Sequence, residues 1–361
     1  MSDHNYQGIN RREFLASATL AAAAVGAASS SLPAAETAPP GKRRIPIGFL
    51  GASHSHALSK LRVVLASPEY DLVGVCEPSP AVAQECEQLG AKMISQPELL
   101  ARSEVVAVGS AVRDHARHAL LALRAGKHLH LEKPPAVTLG ELRKMVALAR
   151  GQKRLLQTGY MWRHHPGFAA ISEAVRNGWL GEVFLVRAAI SNHLPLARRP
   201  EWAEFKGGSL FELGSHLVDV IVRLLGRPRA VTPILRRHGR FEDNLKDNNA
   251  VVLEYGSAMA VLTNTALQEA KLAQRSFEIL GSNGTAVLRP LEPPGLEVEL
   301  VTAAGPYQKG VQTVSLPSYT RYEADFWALA RAVRGQEPLR VSLDTELEVH
   351  ETLLRAADPT A

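Results

Sequence analysis

Ile45-Pro46-Ile47-Gly48-Phe49-Leu50-Gly51-Ala52-Ser53-His54-Ser55-His56 is the stretch that decides the fold, because a short apolar run ends in glycine and passes straight into a helical pattern from His56 to Ala66. A buried strand that feeds a helix through a tight turn is the opening unit of a parallel sheet. The alternation continues downstream. Tyr70 to Cys76 is rich in β-formers and stops at Glu77-Pro78-Ser79-Pro80, and a helix is expected from Ala81 to Leu89. Val105 to Ser110, Ala116 to Ala125, Lys127 to Leu131 and Leu139 to Arg150 repeat strand, helix, strand and helix. Strands separated by helices of this length require right-handed crossovers. The first half therefore reads as α/β, a doubly wound parallel sheet.

In such a sheet a ligand lies beyond the carboxyl ends of the strands, where the first strand turns into its helix. Gly51 to His56 occupies the place of a glycine-rich phosphate turn but keeps only the first glycine; Ser53 stands at the second and His56 at the third. Backbone N–H groups at the helix start, the Ser53 hydroxyl and the His54 imidazole are what it offers a pyrophosphate. Glu77 follows Gly51 by 26 residues, near the spacing at which an acid ends the second strand and accepts bonds from an adenosine ribose. No arginine follows it to meet a 2′-phosphate, which favours NAD over NADP. As a bland alternative, Glu77 is a solvated turn residue before Pro78.

Two further features carry chemistry. Lys133, in Glu132-Lys133-Pro134, closes the strand Lys127 to Leu131, and beside a bound nicotinamide, partly shielded from water, it could give or take a proton near neutral pH. A lysine at a strand end is otherwise an ordinary surface residue. Far downstream, Gly207-Gly208-Ser209-Leu210-Phe211-Glu212-Leu213-Gly214-Ser215-His216-Leu217-Val218-Asp219 has apolar residues at helical spacing, with Glu212 and His216 four apart on one face. The pair could be a plain surface ion pair. The two glycines argue for a close backbone approach instead.

Taken together these motifs resemble the glucose-fructose oxidoreductase, inositol dehydrogenase and rhizopine-catabolism family, Gfo/Idh/MocA, over Ile45 to about Ala357. The anchors are Val75-Cys76-Glu77-Pro78, Ala125-Gly126-Lys127-His128-Leu129-His130-Leu131-Glu132-Lys133-Pro134, Gly159-Tyr160-Met161-Trp162-Arg163, Gly181-Glu182-Val183 and Gly207 to Asp219. The resemblance implies an NAD-binding Rossmann domain over 45–165. It also implies a second α+β domain over 166–361, with a large, mostly antiparallel sheet that carries the substrate pocket on one side and homo-oligomer contacts on the other. It implies that Lys133 and His216 work at the reacting carbinol, His216 taking the hydroxyl proton, while Glu212, where an aspartate is commoner, orients them. Gly51, Ser53, His54, Glu77, Ser110, His115, Glu132 and Lys133 are the expected cofactor contacts. Tyr160, Arg163, His164 and His193 are the expected substrate contacts, and no metal ligand set is expected. Ser110-Ala111-Val112-Arg113-Asp114-His115 keeps the hydroxyl and histidine of the family's fourth-strand motif but loses its proline and asparagine.

The amino terminus is a different kind of sequence. Asn10-Arg11-Arg12-Glu13-Phe14-Leu15 sets a twin arginine before an alanine-rich run to Ala28, with small residues at Ala34-Ala35. This reads as a removable twin-arginine export signal over 1–35, followed by an arm at 36–44; the apolar run is shorter than the roughly 20 residues a membrane span needs. The expectation is an exported, periplasmic protein that engages the twin-arginine machinery. Because Arg11 and Arg12 balance Asp3 and Glu13, the mature chain keeps the net charge of +5, and the basic residues are scattered, which excludes a nucleic-acid-binding reading. Cys76 and Cys86 are expected as free thiols. At 361 residues, 46% hydrophobic and 21% charged, the chain has the size of two globular domains.

The leading expectation is oxidation of a secondary hydroxyl on a sugar or cyclitol by tightly held NAD. An exported cofactor that does not exchange must be reset within each cycle. Alternatives are an NAD-dependent glycosidase working by transient oxidation and elimination, and a non-catalytic sugar-binding protein with a vestigial cofactor site.

Overall fold

A computed structural model describes residues 43–270, 274–358 and 360. The export signal and nearly all of the arm expected before Ile45 lie outside the described residues.

Five strands, β1 (Ile45–Leu50), β2 (Tyr70–Cys76), β3 (Val105–Val108), β4 (His128–Leu131) and β5 (Leu156–Thr158), form one parallel sheet in the order β2-β1-β3-β4-β5. Helices α1 (Ala57–Ala66), α2 (Pro80–Gln88), α3 (Gln96–Arg102), α4 (His115–Arg124) and α5 (Leu139–Gly151) make the crossovers. Side chains alternate across a strand, so Ile45, Ile47, Phe49, Val105 and Ala107 enter one core while Leu50, Val106, Val108, Leu129 and Leu131 enter another. Both faces are thus covered, as an all-parallel sheet requires. Just beyond the carboxyl ends of the paired β1 and β3, Gly51 has φ +80° and lies so close to Ser110 that a Cβ would collide with it.

The rest of the chain builds a second sheet. Helix α6 (Pro166–Arg176) is capped by the His165 ring, which accepts from Gly167 N–H and Phe168 N–H. Then come β6 (Val183–Ser191), α7 (Arg199–Ala203), a π-helical turn over Leu210–Gly214, and α8 (Ser215–Leu225). Strands β7 (Ala230–Arg236), β8 (Asn248–Glu254), β9 (Met259–Thr265), β10 (Arg275–Gly281), β11 (Gly284–Leu288), β12 (Leu296–Leu300) and β13 (Gly310–Val314) complete eight strands in the order β13-β12-β11-β10-β6-β9-β8-β7. Every neighbouring pair is antiparallel except β6 and β9. Helices α9 (Glu323–Val333) and α10 (Leu343–Ala357) close the fold, α9 against α1 and α10 against both α5 and α8. Cys76 and Cys86 are free. No helix among the described residues is long and apolar enough to cross a membrane.

Candidate active site

The loop after β4 delivers Lys133 to the start of α8. Its ammonium donates to Glu212 Oε1 at 2.6 Å and to the Glu212 carbonyl at 2.8 Å, across 79 residues of sequence. Both side chains are buried. Burial alone would raise the Glu212 carboxyl, but the Lys133 charge and a bond from His54 outweigh it and hold the group well below the carboxylate range. His54 Nδ1 accepts the His56 N–H at 3.2 Å, which places the ring proton on Nε2, and Nε2 donates to Glu212 Oε1 at 3.3 Å. Glu212 Oε2 is buried and has no partner among the described residues.

A second ion pair lies beside the first. Glu132 accepts from the Lys60 ammonium, from His56 Nδ1 at 3.1 Å and from the Lys133 N–H at 3.0 Å. Burial opposes its charge, yet the Lys60 ammonium and the hydrogen bond from His56 keep it ionised. Burial, against the pull of Glu132, pushes His56 down to about 3, so its ring is neutral. Donor atoms of His54, His56 and Glu132 lie within 4.8 Å of one another. The Lys60 ammonium already sits on Glu132, so the cation of this cluster is a side chain.

His216 stands in the first turn of α8, its ring 5.4 Å from Trp162 and 5.9 Å from both Tyr160 and His56. Burial, then the Lys133 charge, push its basicity well down, which leaves a neutral imidazole. Its Nδ1 has no partner among the described residues. Lys133, Glu212 and His216 therefore gather at one place, with Glu212 holding Lys133.

The expected cofactor contacts divide. Along the turn after β1, Ser53 and Ser55 are exposed while His54 and Lys60 are buried, so the hydroxyls face outward and the His54 ring faces Glu212. That corrects the expectation that His54 donates to a phosphate. Glu77 Oε2 accepts the Ala52 N–H at 2.6 Å and Oε1 the Ser79 N–H at 2.9 Å, which pins the turn. His115 also departs from a direct contact: its ring nitrogens meet Pro134 O at 2.7 Å and Ser110 O at 2.9 Å, stapling the loops after β3 and β4. Burial pushes His115 down to about 4, and a neutral ring satisfies one of these carbonyls. The Ser110 hydroxyl lies 2.9 Å from His118 Nδ1. The glycine cradle at Gly51, with outward Ser53 and Ser55, fits a dinucleotide pyrophosphate. The Ser53 and Ser55 hydroxyls would donate to it, while Glu77, an acceptor at the end of β2, would take bonds from the ribose hydroxyls.

The expected substrate contacts divide too. Tyr160 lies beside His216, its hydroxyl buried and without a partner among the described residues. Arg163 does not serve a substrate: it pairs with Asp219 at 2.7 Å and Glu346 at 2.5 Å in a buried network. His164 lies 3.6 Å from Asp325 and lines a cavity with Gln157, Arg340 and Val341, whose walls include none of Lys133, Glu212 and His216. His193 is a surface residue 3.7 Å from the exposed Glu269.

Comparison with known proteins gives the family. Residues 45–160 match a family described as oxidoreductase, NAD-binding Rossmann fold, and residues 168–287 match the GFO/IDH/MocA C-terminal domain. The chain belongs to the Gfo/Idh/MocA family. Residues 1–33 match the TAT signal of the ubiquitinol-cytochrome C reductase Fe-S subunit. D-glucoside 3-dehydrogenase of Escherichia coli K12 is 33% identical over 44% of this chain and 48% of that protein. Trans-1,2-dihydrobenzene-1,2-diol dehydrogenase of Bos taurus is 30% identical over 55% of this chain and 58% of its own. The chain thus matches about half the length of these curated relatives. Among solved structures, GenD2 from gentamicin A biosynthesis, in complex with NAD, has a TM-score of 0.72 at 23% identity, covering 89% of this chain and 96% of that one.

Within this family frame, sequence reasoning missed Lys60, the ion-pair role of His56, and Tyr322. A signal for the first two was present, since His56, the N-cap of α1, and Lys60 in its first turn are four apart and share one face. Tyr322 was not foreseeable. It caps α9 with φ +71°, unusual for a bulky residue, and lays its ring 5.5 Å from His56 and 5.3 Å from Lys60 Nζ.

Proposed function

We propose that this chain oxidises a secondary hydroxyl of a sugar or cyclitol, using NAD that it holds tightly, in the periplasm and as a homo-oligomer. The observation that carries the reading is the pairing of a pinned ammonium with a neutral imidazole: Lys133 fixed by Glu212, and His216 with a free ring nitrogen. The Lys133 ammonium donates to the carbinol oxygen and stabilises negative charge there. The imidazole of His216 accepts the hydroxyl proton. Its weak basicity suffices, because a carbinol that is losing its hydride becomes a strong acid. Bound nicotinamide supplies the hydride acceptor. The D-glucoside 3-dehydrogenase relative supports a sugar as substrate, and the twin-arginine leader supports a cofactor loaded before export and reset within each cycle.

The test is to denature the purified protein, identify the nucleotide released, and record reduction of bound nicotinamide on adding glycosides or cyclitols without added NAD. Lys133→Ala and His216→Ala are expected to abolish that reduction and keep the nucleotide. Unchanged reduction in both variants would remove the site assignment. Release of aglycone from an aryl glycoside, with no net reduction, would replace the dehydrogenase by a glycosidase that oxidises transiently.

A further inference from the structure

Arg275 opens β10, whose alternation places Arg275, Phe277 and Ile279 on one face; Phe277 and Ile279 are buried, so that face is the inner one. Its cross-strand partner is the buried Ile190 of β6, and α8, which carries His216, packs on β6. A run of ring contacts spans the interval: His216 to Trp162 at 5.4 Å, Trp162 to Phe168 at 5.4 Å, and Phe168 to Phe277 at 5.1 Å. Arg275 therefore looks into the same layer as the candidate catalytic histidine, and its charge is felt there.

Other arginines whose guanidiniums are buried or partly buried have carboxylates. Arg163 has Asp219 and Glu346, Arg199 has Asp243 and Asp247, and Arg321 has Glu292. Arg275 has no carboxylate partner among the described residues, and Glu292, the acid that acts on it, already holds Arg321 and the Trp162 indole N–H at 3.3 Å. Burial and the neighbouring Arg321 charge both disfavour its own. An unpaired arginine in open water costs nothing, but one half-buried beside a second guanidinium is held at a cost that an arriving anion removes. Asn192, two residues beyond Ile190, adds a buried Oδ1 that has no partner among the described residues. A cation and a spare acceptor thus stand together at the end of β6 and β10.

We propose that Arg275 binds an anionic group of the substrate, a carboxylate or a phosphate, while Asn192 accepts from a sugar hydroxyl, so that the molecule oxidised at His216 is a sugar acid or sugar phosphate. This rests on the reading of the site as a sugar oxidoreductase, and the experiment separates the two. Wild-type protein and Arg275→Gln, each with the nucleotide it carries, are titrated calorimetrically with methyl glucoside, methyl glucuronide and glucose 6-phosphate at low and high salt. At least one anionic sugar is expected to bind wild type about tenfold more tightly than the neutral glucoside, the margin shrinking with salt and vanishing in Arg275→Gln. Which of the two anions gains identifies carboxylate or phosphate. Equal binding of all three, binding of none, or a preference that survives Arg275→Gln overturns the proposal. Reduction of bound nicotinamide by the neutral glucoside, with no advantage for either anion, sinks this inference and leaves the oxidoreductase reading standing. Preference for an anion with no reduction by any probe does the reverse.

Discussion

Glu212 is one methylene longer than the aspartate commoner at this place in the family, and the structure uses that reach: one oxygen meets both Lys133 and His54. Glu212→Asp withdraws the carboxylate by roughly 1.5 Å, so one of the two bonds is lost and turnover is expected to fall. Glu212→Gln is the harsher change, because it leaves a buried ammonium without its counter-charge at a cost of about 3–5 kcal/mol. A denaturant midpoint unchanged from wild type would show that the pair contributes no such stability. Asp325 makes a prediction about pH. Burial raises its carboxyl to about 7, above the unfolded value of 3.8, so the folded state binds more protons than the unfolded chain in that interval. Its contribution is present below pH 4 and is lost as pH rises towards 7. Asp325→Asn should therefore gain stability relative to wild type between these limits, read as the difference in urea midpoint at pH 5 and pH 8. A constant difference would refute it. At this scale Lys133, Glu212 and His216 were legible because each sits inside a motif. Arg163 was misread for the opposite reason: its motif names the arginine, while its partners lie 56 and 183 residues away.

The elements were read well where local patterns decide them. β2 spans the expected Tyr70 to Cys76, and α5 starts at the expected Leu139, where a Thr138–Glu141 capping box closes its first turn. The helices and strands that were not foreseen have physical reasons. β7 contains Pro233, which removes a ladder donor and is tolerated because β7 is an edge strand. α3 and β5 are too short for a period to show. The segment before α8 was read as plain α-helix and is a π-helical turn over Leu210–Gly214, a widening frequent at functional sites. It carries Glu212 toward Lys133 rather than toward His216. The close approach argued from Gly207 and Gly208 is present: a Cβ on Gly207 would lie 2.7 Å from Ala357 Cα, and one on Gly208 2.8 Å from the Lys246 backbone. Both have positive φ. Gly208→Ala should cost about 1–3 kcal/mol and displace the π-turn, lowering turnover more than nucleotide binding. Equal stability and activity in that variant would mean the backbone yields without consequence.

The molecule as a whole is held at the site by a clamp that no local pattern announces. Arg163, just after β5 of the first sheet, binds Asp219 of α8 and Glu346 of α10, and Glu346 Oε1 also accepts the Thr158 N–H at 3.2 Å. Asp219 lies one helical turn beyond His216, so the clamp fixes the helix that presents the imidazole to Lys133. Alternating strands and helices made the first sheet legible and the family resemblance supplied the second, but a clamp of three elements depends on which buried charges meet after folding. Arg163→Met removes the cation and leaves two carboxylates in the interior, an expected loss of about 3–5 kcal/mol. Asp219→Asn and Glu346→Gln added to Arg163→Met remove the uncompensated charges, so the triple variant should regain much of that stability in denaturant titration. It should not regain turnover, because the hydrogen bonds that orient α8 are gone. Should the triple variant recover activity along with stability, the clamp serves only to neutralise charge and His216 is placed by apolar packing alone.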